Sequence, residues 1–95
     1  MSRSENVARR IASSDAVELD LSNLGLTEVP QAIFDSKFAS VEKINFGGNK
    51  LNSLPSEFAR LRKLKTLFFA NNDFDSVPVV LGKLPELFML SFKGT

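Results

Sequence analysis

The densest run of oxygen-bearing side chains in the sequence is Asn71-Asn72-Asp73-Phe74-Asp75. Amide and carboxylate oxygens so close together suggest a cation loop. A calcium loop of the EF-hand kind needs more ligands, a turn glycine and a distal bidentate glutamate, and the segment lacks that set. It reads as a solvated turn, and no metal site is expected. Gly47-Gly48 could border a phosphate, but neither the G-x-x-x-x-G-K-S/T loop nor a dinucleotide glycine spacing surrounds it. Arg9-Arg10-Ile11-Ala12-Ser13 resembles a target for a basic-directed kinase, and reads more simply as the polar face of a helix. Arg60, Arg62, Lys63 and Lys65 form the densest basic run and read as a solvated rim. The chain has no histidine and no cysteine. The Cys-His pair, the Ser-His-Asp triad and the usual zinc sites are therefore impossible. No catalytic, metal or cofactor residue is assigned.

A chain of 95 residues makes at most one domain, with a small core. Its 43% hydrophobic and 24% charged residues are those of an ordinary globular chain, not a disordered one. The net charge of +1 gives no bulk attraction to nucleic acid or membrane, so neither is expected as a partner. The N-terminus, MSRSENVARR, has no apolar signal-peptide core, and no apolar run is long enough to span a bilayer. With the missing cysteines, this favours a cytoplasmic location.

The elements that position these residues come from a repeat. Aligned on Ala16, Val41, Leu64 and Leu87, successive units are offset by 25, 23 and 23 residues. The fourth position is Leu19, Ile44, Leu67 or Leu90, and the sixth is Leu21, Phe46, Phe69 or Phe92. The eleventh is Leu26, Leu51 or Phe74. Val29, Leu54 and Val77 follow at the fourteenth, each ahead of a proline: Pro30, Pro55, Pro78. Ile33, Phe58 and Leu81 come next, and Phe38, Leu61 and Leu84 stand three residues before the following unit. The units span 16–40, 41–63 and 64–86, with a partial one at 87–95.

This L-x-x-L-x-L-x-x-N-x-L pattern resembles the leucine-rich repeat family from about Ala16 onward. The resemblance implies an α/β fold: a curved right-handed solenoid, with a parallel β-sheet on the concave face and short helices or 3-10 turns on the convex side. Physical chemistry points the same way. Side chains alternate along a strand, so Ile44 and Phe46 face one side while Lys43 and Asn45 face the other. One coil cannot bury its apolar face alone, but stacked coils cover one another. Gly47 and Gly48 let the chain turn sharply out of the strand. Asn49, and Asn72 in the next coil, then enter the interior to satisfy backbone groups that the turn leaves unpaired. Pro55, Ser56 and Glu57 suit the first turn of a short return helix.

The two ends differ. Position nine of the first unit is Leu24 rather than Asn, and two extra residues separate Ile33 from Phe38, as befits a terminal repeat. Ahead of it, Ser2-Arg3-Ser4-Glu5 fits a capping box. Residues 1–15 are assigned as an N-terminal cap built on a helix over roughly 3–13, with Val7 and Ile11 one turn apart on its apolar side. Past Leu90 and Phe92 the last strand has no following coil. An open edge of that kind implies a longer array or a partner on the edge, including self-association.

The outward columns of the sheet are the candidate partner-binding surface. The third position reads Glu18, Lys43, Thr66, Met89, and the fifth reads Asp20, Asn45, Phe68, Ser91. This mixture suits a protein-binding face and contains no convergent acid–base pair. Phe68 is either an interface anchor, or an aromatic accounted for by a further C-terminal segment or by isolated exposure alone. The expected function is noncatalytic protein–protein recognition on the concave face. LDLSNLGLTEVP (19–30), LFFANNDF (67–74) and LSFKG (90–94) also look similar to the repeat arrays that precede kinase-like domains in some bacterial proteins and the GTPase module of Roco proteins. That similarity implies a regulatory arm of a larger enzyme, signalling through activity outside these residues.

Overall fold

The computed structural model describes residues 3–13 and 17–91. Expectations for Ser2 of the capping box, for Ala16, and for Phe92 to Thr95 lie outside the described residues. An α-helix, α1 (Arg3–Ser13), precedes four short strands: β1 (Glu18–Asp20), β2 (Lys43–Asn45), β3 (Thr66–Phe68) and β4 (Met89–Ser91). They form one sheet in the order β1-β2-β3-β4, every neighbouring pair parallel. Glu18 pairs with Lys43, Lys43 with Thr66 and Thr66 with Met89, so the register follows the 25-, 23- and 23-residue offsets of the sequence.

Each return segment is 3-10 helical: Gln31–Phe34, Ser56–Arg60 and Val79–Lys83. The residues before them, Pro30, Pro55 and Pro78, have φ of −63°, −72° and −60° in extended conformation. Those angles are the ones the pyrrolidine ring fixes, which accounts for the proline column. An additional 3-10 turn, Ser36–Phe38, takes up the two extra residues of the first coil. Of the short helices or 3-10 turns expected, the return segments are 3-10 turns, which fit the 23-residue period with fewer residues per coil.

The core is a single cluster running through all coils. Leu19, Ile44 and Leu67 are buried behind the sheet, as are Leu21, Phe46 and Phe69. Phe46 and Phe69 stack with centroids 5.6 Å apart and planes 4° from parallel, and Phe74 meets Phe69 edge-on at 5.0 Å. Successive coils therefore share an aromatic seam as well as leucines. The cover fades toward the last coil. In the fourteenth column Val29 is buried and Leu54 half-buried, but Val77 is 59% exposed. A column that repeats in sequence is thus not covered alike in every coil: no coil beyond Val77, among the described residues, lies against it. Leu90 likewise is 37% exposed where Leu67 is fully buried.

Candidate functional site: the concave face and its supports

The strands place the outward columns from interior asparagines upward. Asn49 is buried, its Oδ1 accepting from the backbone N–H groups of Leu24 and Leu26, each at 3.0 Å. Its Nδ2 donates to the carbonyls of Leu21 at 2.9 Å and Phe46 at 2.7 Å. Asn72 repeats this one coil later, accepting from Leu51 N–H at 2.9 Å and donating to Phe46 and Phe69 carbonyls at 2.8 and 3.1 Å. Each side chain ties its own turn to the preceding coil. The first coil has no preceding coil among the described residues, and there Leu24 packs against the core instead.

The turn after each of β1, β2 and β3 has a residue in the left-handed region. Gly48 has φ +71°, and Asn23 and Asn71, at the same position in their coils, have φ of 57° and 61°. Gly47 does not share this conformation, which corrects the reading of both glycines as conformationally special. Its N–H donates to Asn45 Oδ1 at 2.8 Å.

That bond changes the character of the face. Asn45 turns its side-chain oxygen back to its own turn, and Asp20 does the same. Asp20 Oδ1 accepts from Ser22 N–H at 3.1 Å and from Ser22 Oγ at 2.6 Å. The Ser22 hydroxyl is the main influence holding the Asp20 carboxyl below its ordinary pKa; partial burial opposes it, and the Ser22 N–H and Arg10 assist. Arg10 stands 3.7 Å from the Asp20 carboxylate. So Asp20 and Asn45 lie on the expected face but are engaged with their own turns, a contact that strand alternation does not encode.

Glu18 and Lys43 are exposed neighbours, and Thr66 and Phe68 are half-buried beside them. The Lys43 Nζ lies 5.6 Å from the centroid of the Phe68 ring, within cation–π range. Phe68 is therefore neither core nor fully exposed. Met89 is 47% exposed at the end of the third column, and Ser91 is half-buried beside Phe68. At the strand entrances Lys65 pairs with Glu42 at 3.2 Å, so one member of the expected basic rim is held in an ion pair. Asp73 and Asp75 are exposed, and among the described residues no group of three or more acidic side chains is placed to hold a metal ion.

Away from the sheet, a groove of about 580 Å³ lies between α1 and the first two coils, lined by Val7, Ile11, Leu26, Val29 and Leu54 among others. Sequence reasoning missed it, because it arises where two elements far apart in sequence meet imperfectly. No described helix is long and apolar enough to cross a membrane.

Comparison with known proteins agrees with this geometry. The chain is 36% identical over 74 residues to "Probable serine/threonine-protein kinase pats1" of Dictyostelium discoideum, a match that covers 77% of this chain and 2% of that protein. The chain thus spans only a small part of that relative's length. The leucine rich repeat family profile matches residues 16–74, the stretch that carries the first two coils and the third strand with its turn. The chain belongs to the leucine-rich repeat family.

Proposed function

We propose that this chain is a noncatalytic protein-interaction module that meets its partner on the concave face of the sheet. The observation that carries the reading is the placement of Phe68: an aromatic on the outward side of β3, beneath the Lys43 ammonium and diagonal, across the β3–β4 pair, to partly exposed Met89. Large side chains in such half-covered positions are the kind that anchor interfaces. Glu18, Lys43 and Thr66 supply polar contacts around it, while Asp20, Asn45 and Ser91 shape the rim. Such a module suits a signalling role in the cytoplasm.

The test compares partner capture by the wild-type chain with capture by Phe68→Ala and by Val79→Asp, which alters a valine 90% exposed on the opposite, convex side. The reading expects loss with the first variant and retention with the second. The reverse pattern would place recognition on the convex side.

A second reading is supported by the identity to a named kinase over only 2% of that protein. In it, the chain is a sensing arm of a larger enzyme, and its concave face regulates activity located elsewhere. Reading the gene past codon 95 separates the two. A kinase or GTPase motif set downstream favours the arm; a stop codon there removes it.

A further inference from the structure

The outer edge of the sheet at β1 is covered in an unusual way. Val17 and Leu21 exchange backbone hydrogen bonds with β2: Val17 O accepts from Lys43 N–H at 3.1 Å, and Leu21 N–H donates to Asn45 O at 2.8 Å. Because neighbouring residues of a strand in a parallel sheet point their backbone groups to opposite sides, those of Asp20 and Ser22 face outward. Arg10 of α1 occupies this edge. Its guanidinium donates to Asp20 O at 3.1 Å and to Ser22 O at 3.3 Å, and also stands near the Asp20 carboxylate. One cationic side chain thereby takes two edge carbonyls that a neighbouring strand would otherwise use.

The hold of α1 on the solenoid is partial. Its apolar residues Val7 and Ile11 are only half-buried, and the groove beside them separates the helix from Leu26 and Val29. Elements with so little buried contact open at lower free energy than the core they cover.

We propose that α1 is a releasable guard on the β1 edge, and that the edge it covers accepts an extended segment with basic residues at alternating positions. Charge selects this occupant. A strand added beside β1 sets its alternate side chains next to exposed Glu18 and Asp20 on the concave face, where cations are favoured. A second copy of β1, paired antiparallel, would set Glu18 against Asp20 of the other chain and repel. Arg10 already makes, within the chain, the contacts such a segment would bring: a cation at Asp20 and donors to the edge carbonyls. The inference uses Glu18 and Asp20 of the concave face but does not depend on Phe68 as an anchor.

The experiment uses the full chain and a synthetic peptide of alternating lysine and valine, followed by fluorescence anisotropy. Controls are a glutamate–valine peptide and a peptide of the same lysines and valines in separate blocks. Arg10→Ala removes the guard, so affinity for the alternating peptide is expected to rise at least about fivefold, as the competent open state is populated more fully. The Asp20 amide, facing the outer edge of β1, is expected to become protected from hydrogen exchange on binding. No gain in affinity, equal binding of either control, or an unprotected Asp20 amide would each overturn the proposal. Arg10→Gln is the second variant should the first fail to fold. Loss of the solenoid in both would also overturn it, since α1 would then be inseparable from the core.

Discussion

Asn49 and Leu21 are joined by a buried hydrogen bond of 2.9 Å from the side-chain amide of one coil to the backbone carbonyl of the coil before it. The bond is one of a set through which a single side chain serves both coils. Its removal strands several buried backbone groups, at a cost of about 1–3 kcal/mol each. Asn49→Leu is therefore expected to destabilise the fold by more than about 3 kcal/mol in urea unfolding, despite similar volume. Leu24→Asn, at the matching position of the first coil, should change stability by less than about 1 kcal/mol, because Leu24 is half-buried near the surface. Equal effects from the two substitutions would contradict a role for position nine in joining coils.

Three glycines make a second contrast. A Cβ on Gly48 would collide with Asn23 Oδ1, and its φ of +71° is itself strained for alanine. Gly48→Ala should cost more than about 1–2 kcal/mol, the left-handed penalty alone. On Gly47 the added carbon would meet Asn45 Oδ1 at 3.0 Å with ordinary φ, so an intermediate loss is expected. Nothing lies within 4 Å of a Cβ on Gly82, where alanine should be neutral or stabilise by about 0.5 kcal/mol. Thermal unfolding of the three variants gives the order directly. A stable Gly48→Ala would mean that the turn can refold around a side chain.

Most of the fold was legible because it repeats. Offsets of 25, 23 and 23 residues give the strand register, and the leucine, phenylalanine and proline columns give the coil. The left-handed turn position was harder to see, since Asn23, Gly48 and Asn71 fill it with two residue types that reach φ above zero for different reasons. The concave columns were legible as positions but not as contacts. Alternation sends Asp20 and Asn45 outward, yet their oxygens bend back to Ser22 and Gly47 through bonds two residues long. Arg10 at the β1 edge had no sequence signal, because nothing in its local pattern says where α1 lies across the solenoid.

Phe68 and Phe69 are adjacent in sequence and opposite in environment. Phe69 is fully buried and stacked on Phe46, so Phe69→Ala should cost about 3–5 kcal/mol. Phe68 is half-buried on the face, and its truncation removes mainly the Lys43 contact, of about 0.5–1 kcal/mol, with some packing. Urea unfolding of both alanine variants measures the difference. Comparable losses would show Phe68 to be part of the core and would remove the main support for a concave-face anchor.

The Asp20 carboxyl offers a test of which neighbour controls it. Its pKa lies below the usual 3.8, first through the Ser22 hydroxyl, with the Ser22 N–H and Arg10 adding to that and partial burial opposing it. A carboxyl depressed in the folded state stabilises the fold above its unfolded pKa, and that contribution is lost as pH falls through the folded value. The window is therefore acidic, below about 3.8, and stability near neutral pH should be flat with respect to this group. Because the carboxylate is largely exposed, solvent screening keeps the contribution small. Carbon-detected NMR titration should show Ser22→Ala raising the Asp20 pKa more than Arg10→Ala does. The opposite order would make the ion pair the dominant influence and would tie the ionisation of Asp20 to the docking of α1.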